Sequence, residues 1–184
     1  MKGKTDKISS MLHICSININ HSTNAMHALT HNIATSEQTF DILLIQEPWW
    51  SGSITTSVQG WQVIFPTPMI KENECPRVIA YYWLEVGIEI TLRTDISTDL
   101  DYMILDIRHE GSRHLPTCLI NIYNQTEPGE LIESVYTTDR LTSIHLQLDT
   151  PTIITGDWNL HHHLWNSMIE AETITTECRM WWTG

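Results

Sequence analysis

Basic residues are scarce in this chain. Against 22 acidic side chains the 184 residues include only 10 lysines and arginines, a formal charge of -12, which excludes simple electrostatic attachment to nucleic acid or to an anionic membrane. Any phosphate chemistry would need a cation as intermediary. Three of the four lysines, Lys2, Lys4 and Lys7, stand in a polar tail over residues 1–10, so the body over 11–184 is more acidic still. Solvation is the first reading of that tail, contact with a phosphate backbone the second. Long apolar runs are missing too: no segment approaches the roughly 20 residues needed to cross a bilayer, and no secretory apolar region precedes the first cysteine. The four cysteines, Cys15, Cys75, Cys118 and Cys178, make no Cys-x-x-Cys pair, which fits a reduced, intracellular protein. Cys15 and Cys118 lie inside apolar runs and read as small core residues. Internal repeats, low-complexity tracts and recognisable linkers are also lacking. What remains is 41% hydrophobic residues in about the length of one domain, enough for a sizeable core. A single domain over 11–184 is expected.

The most informative stretch runs from Pro151 to Trp165. Its β-branched residues Thr152 to Thr155 read as a buried strand, and Gly156 as a sharp backbone turn beneath a bound group. Asp157 and Asn159 follow at a spacing of two, which on an extended chain puts both side chains on one face. A carboxylate beside a carboxamide suits a hard cation with its water, or a phosphate neutralised by that cation. The plainer reading is an Asx-rich turn after a strand, and for an isolated Gly-Asp-x-Asn the turn is the commoner of the two.

Earlier in the chain, Met11 to Asn20 reads as a first strand ending in the polar Asn18-Ile-Asn20, either a site at a strand's C-terminal edge or a turn before a helix capped by Ser22 or Thr23. Met26, Leu29 and Ile33 predict an amphipathic helix over about 22–38. His27 and His31 lie four apart on it, and solvated histidines are favoured over a metal pair. Phe40 to Ile45 is a buried strand followed by Gln46-Glu47-Pro48-Trp49-Trp50, where Glu47 sits at the rim and Pro48 stops the ladder. If the strands ending near Asn18, Glu47 and Asp157 are parallel, all three offer oxygen ligands at one edge. Trp49 and Trp50 read as a base-stacking platform or as plugs over the sheet edge. Further strands are expected at Trp61 to Phe65, Arg77 to Trp83, Ile88 to Leu92, Tyr102 to Ile107 and Leu115 to Tyr123, with short connectors implying antiparallel meanders. Arg77 reads as a phosphate contact or a surface ion pair. A helix over about 129–146, with Leu131, Val135, Leu141 and Ile144 as core contacts, leads into Pro151.

Taken in order, Ser16-Ile-Asn18-Ile-Asn20, Leu44-Ile-Gln46-Glu47-Pro48-Trp49, Asn121-Ile-Tyr123 and Gly156-Asp157-Trp158-Asn159-Leu-His161-His162-His163-Leu164-Trp165 resemble the endonuclease/exonuclease/phosphatase superfamily. Within it, the similarity is to the apurinic-like endonuclease domain of non-LTR, LINE-type retrotransposons. The resemblance implies an α/β two-sheet sandwich flanked by helices, and hydrolysis of a phosphodiester in DNA with Mg2+, or alternatively Mn2+. It implies that Glu47 binds the metal with Asn18 beside it, that Asp157 activates water, that Asn159 meets the scissile phosphate and that Tyr123 donates to developing charge. Asn20 and Arg77 are expected on the substrate. The implied partners are DNA and a downstream reverse transcriptase domain of the same polyprotein, and the implied location is nuclear. The family's terminal Ser-Asp-His element has no counterpart here; the last histidine is His163. The expectation is therefore a domain incomplete at its C-terminal end, either a fragment or a decayed, non-catalytic copy. A phosphomonoesterase of the same superfamily is the further alternative, because one fold hosts both reactions.

Overall fold

The computed structural model describes residues 11–35, 40–51, 58–68, 74–125, 136–144 and 150–159. Their elements follow the order β1 (Ile14–Asn18), α1 (Thr23–Thr35), β2 (Ile42–Gln46), β3 (Trp61–Ile64), β4 (Val78–Trp83), β5 (Ile88–Leu92), β6 (Tyr102–His109), β7 (Thr117–Tyr123), α2 (Thr137–Thr142) and β8 (Thr152–Asp157). They form two mixed four-stranded sheets, β1-β2-β4-β3 and β5-β6-β7-β8, the α/β two-sheet sandwich expected from the sequence.

The apolar run Ile42-Leu-Leu-Ile45 explains the layering. Strand side chains alternate between faces, so Ile42 and Leu44 enter the core between the sheets with Val78, Ala80, Met103, Leu105 and Leu119. Leu43 and Ile45 face outward, where Met26, Leu29 and Ile33 of α1 cover them. The second sheet repeats the arrangement: Tyr102, Ile104, Cys118, Ile120 and Ile122 form an outer cluster with Leu141 of α2. Each such aliphatic side chain contributes roughly 1.5–3 kcal/mol on full burial. A strand buried on both faces needs an unbroken apolar run, and β2, with all five residues buried, shows it. Helix α1 starts where the sequence indicates, with the Ser22 hydroxyl accepting the Ala25 N–H at 3.2 Å. His27 and His31 are exposed. The meander is the β5-β6-β7 antiparallel run.

The structure corrects two readings around β8. The strand is not buried: it is the edge of its sheet, and Ile153 and Ile154 are 46% and 39% exposed. Its β-branched residues were therefore a sign of strand and not of burial. Gly156 does not turn the chain either; it lies within β8, opposite Ile122 of β7. Its φ of 141° and the 2.0 Å that would separate an added Cβ from the Ile122 carbonyl oxygen show a close backbone approach that glycine alone accommodates. The first strand is also shorter than expected, ending at Asn18, because Asn20 and His21 have left-handed φ values of 48° and 52°. Of the expected helix over 129–146, the described part is α2, with Leu141 buried; Leu131, Val135, Cys178 and His161 to His163 lie outside the described residues.

Candidate active site

Two parallel strand pairs aim four chain ends at one rim. In the first sheet β1 and β2 run parallel with Asn18 opposite Gln46, so Glu47 is the first residue past the ladder. In the second, β7 and β8 run parallel with Tyr123 opposite Asp157. Asn18 links the sheets there: its amide nitrogen donates to Oε2 of Glu47 at 3.0 Å and to Oδ2 of Asp157 at 2.6 Å. Asn18, Glu47 and Asp157 therefore converge as the sequence predicts.

The scaffold below them is polar and buried. Gln46 and Asn121 are 1% and 0% exposed. The Gln46 amide donates to Oδ1 of Asn121 at 2.5 Å and to the Ser16 hydroxyl at 3.1 Å. Asn121 in turn donates to the carbonyls of Ile45 and Ile79 at 3.3 and 3.1 Å. These bonds satisfy buried groups and tie β7 to β2 and β4 directly under the rim.

Strain collects at the rim as well. The non-glycine residues with positive φ among those described are Asn20, His21, Glu47 and Asn159, all at these strand ends, and such conformations persist where surrounding contacts enforce them. Glu47 is held by its own N–H, which donates to the Arg77 carbonyl at 2.8 Å, and by its carbonyl, which accepts the His21 N–H at 2.8 Å. Asn159 is set by its N–H on Oδ1 of Asp157 at 2.9 Å and by its amide on the Asn124 carbonyl at 2.7 Å. Asp157 and Asn159 thus do not share an extended face; the Asx turn and the site are the same residues.

Tyr123 and Arg77 complete the corner. Burial, then a hydrogen bond to Glu47 and the charge of Glu47, push the Tyr123 phenol above its ordinary value, while Arg77 and a hydrogen bond with Asn159 pull the other way. The phenol therefore holds its proton at neutral pH and is a donor. The Arg77 guanidinium lies 5.5 Å from the Tyr123 ring centre, and its Nε is 3.5 Å from Asp101. Arg77 makes the ion pair that the sequence offered as one alternative, and it lies beside Tyr123. Asn20 is exposed, and its N–H donates to Oδ1 of Asn18 at 2.7 Å. Trp49 and Trp50 act as plugs: Trp49 packs on the outer core of the first sheet, and Trp50 meets Phe65 edge-on at 6.1 Å.

Among the described residues no cluster of three or more His, Cys, Asp or Glu side chains is placed to hold a metal ion. The rim supplies the carboxylates of Glu47 and Asp157, hard oxygen donors, while Asn18 turns its nitrogen toward them and its oxygen to the Asn20 N–H. That set suits Mg2+, which keeps several waters and takes one or two protein carboxylates.

Residues 117–178 match a family described as endonuclease-reverse transcriptase. The match supports an endonuclease/exonuclease/phosphatase-type domain of retrotransposon origin. No curated protein matches the chain. The matched stretch includes Tyr123, Asp157 and Asn159; Asn18 and Glu47 precede it and reach the same corner through the β1–β2 pair. Sequence reasoning missed His21, whose Nε2 stands 3.4 Å from Oε1 of Glu47, because it follows a strand end that carries no recognisable histidine pattern. It also assigned no role to Gln46 and Asn121, since a buried amide pair across 75 residues leaves no local signal.

Proposed function

We propose that the domain nicks DNA by divalent-cation-dependent phosphodiester hydrolysis, priming the reverse transcriptase domain of the same polyprotein in the nucleus. The observation that carries this reading is the Asn18 amide bound at once to Glu47 and Asp157, since it gathers two carboxylates from separate sheets at one edge. Two acidic groups so close suit a bound cation better than a purely structural contact. Glu47 would hold Mg2+ or Mn2+, which supplies Lewis acidity toward a phosphate oxygen, with Asn18 beside it orienting metal-bound water or a phosphate oxygen. Asp157 would orient a water and take its proton. Tyr123 and Asn159, neighbours at the rim, would be the donors for charge developing on the phosphate. Arg77, about one-third exposed, and Asn20 face the DNA backbone. With a formal charge of -12, the chain needs the cation and Arg77 to offset repulsion of DNA at the rim.

The test is nicking of supercoiled plasmid with Mg2+ by the full chain, beside Glu47→Ala and Asp157→Ala. Loss of roughly a hundredfold or more in both variants is the expected result. Absence of nicking by the unaltered chain would support the non-catalytic alternative. Release of inorganic phosphate from a phosphomonoester without nicking would support the phosphatase alternative.

A further inference from the structure

His21 enters the rim from the turn between β1 and α1. Its Nδ1 lies 3.2 Å from the Pro48 carbonyl. A carbonyl only accepts, so Nδ1 carries a hydrogen there, which leaves Nε2 as the ring position open to a proton or a cation. That nitrogen faces Oε1 of Glu47 at 3.4 Å. Two lone-pair atoms at this separation repel unless a proton or a cation stands between them. Donors sharing one cation at about 2.1 Å each, with right-angled to tetrahedral geometry, are about 3.0 to 3.5 Å apart. An imidazole whose other nitrogen donates to a backbone carbonyl is also the arrangement that orients metal-binding histidines.

The backbone supports the same pairing. The His21 N–H donates to the Glu47 carbonyl at 2.8 Å, and both residues have left-handed φ, 52° and 48°. Each strained residue thus holds the other. His21 is half-exposed, which leaves room for water to fill the remaining positions around an ion.

We infer that His21 is a nitrogen ligand at the Glu47 cation site and shifts its preference from Mg2+ toward divalent transition ions. The inference rests on the reading of Glu47 as a cation ligand. Mg2+ favours oxygen donors, whereas imidazole favours transition ions, so the histidine discriminates between cations where the carboxylates alone do so weakly.

The full chain is titrated with Mn2+ alone, and bound Mn2+ is examined by pulsed electron paramagnetic resonance for coupling to an imidazole nitrogen. Coupling is expected in the unaltered chain and lost in His21→Gln and His21→Ala. Their Mn2+ affinity should fall about tenfold or more, on the scale of changes around metal ligands, while Mg2+ affinity measured by competition changes far less. Circular dichroism confirms that the variants fold. Glu47-dependent Mn2+ binding with no nitrogen coupling, or with coupling retained in His21→Gln, overturns the ligand role of His21 and leaves the Glu47 reading standing. Mn2+ binding that is absent, or indifferent to Glu47→Ala, overturns both.

Discussion

Gln46 and Asn121, 75 residues apart in sequence, meet amide to amide at 2.5 Å in the buried interior between the two sheets. This contact holds the end of β2 against β7, and therefore Glu47 against Tyr123. Asn121→Leu removes the Oδ1 that accepts the buried Gln46 amide and is expected to cost about 1–3 kcal/mol. The Gln46→Leu and Asn121→Leu double variant should lose less than the two single losses combined, because the partners act as a unit. Urea denaturation of the three variants checks both expectations.

Gly156 sits where β8 passes against Ile122. Gly156→Ala puts a Cβ 2.0 Å from the Ile122 carbonyl oxygen at a φ of 141°, so the β7–β8 pairing has to shift. The expected loss is more than about 2 kcal/mol. Hydrogen exchange should show reduced protection over Thr152–Asp157, and unchanged protection there would contradict the close approach.

The Tyr123 phenol is raised above its ordinary value by burial and by Glu47. The folded protein then holds this proton more tightly than the unfolded chain does. Its stabilising contribution is complete below the ordinary tyrosine value of about 10 and is lost as pH rises through the higher folded value. Absorbance of tyrosinate, taken as the difference between the unaltered chain and Tyr123→Phe, should show ionisation above the ordinary value. Glu47→Gln should bring that ionisation to lower pH, since it removes the negative charge that opposes tyrosinate formation.

Arg140 binds the carboxylates of Asp99 at 2.6 Å and Asp101 at 2.5 Å, and Asp101, 7% exposed, also meets Arg77 and the Thr137 hydroxyl. Arg140→Met would leave a nearly buried carboxylate short of its main partner, with an expected loss of about 2 to 4 kcal/mol. Thermal unfolding measures the loss. Exchange in Thr137–Thr142 should quicken, because this pairing ties α2 to the second sheet.

The sequence alone determined the succession of strands and the order of the site residues, while the two-sheet sandwich was implied by the family resemblance. Continuous apolar runs such as Ile42 to Ile45 report burial on two faces directly, and the alternation in Leu115 to Tyr123 reports its strand. Asn18, Glu47 and Asp157 were recognisable because each is a polar residue closing an apolar strand. Only the tertiary structure decided how they meet. The Asn18–Asp157 bond spans 139 residues, and nothing local encodes a separation of that size. The exposure of Ile153 and Ile154 was likewise hidden, because composition states what a strand is made of and not which neighbours it has. The Gln46–Asn121 bridge, the clash that makes glycine necessary at 156 and the approach of His21 to Glu47 depend on elements brought together from distant parts of the chain. Such contacts are properties of packing, and no window of sequence contains both partners.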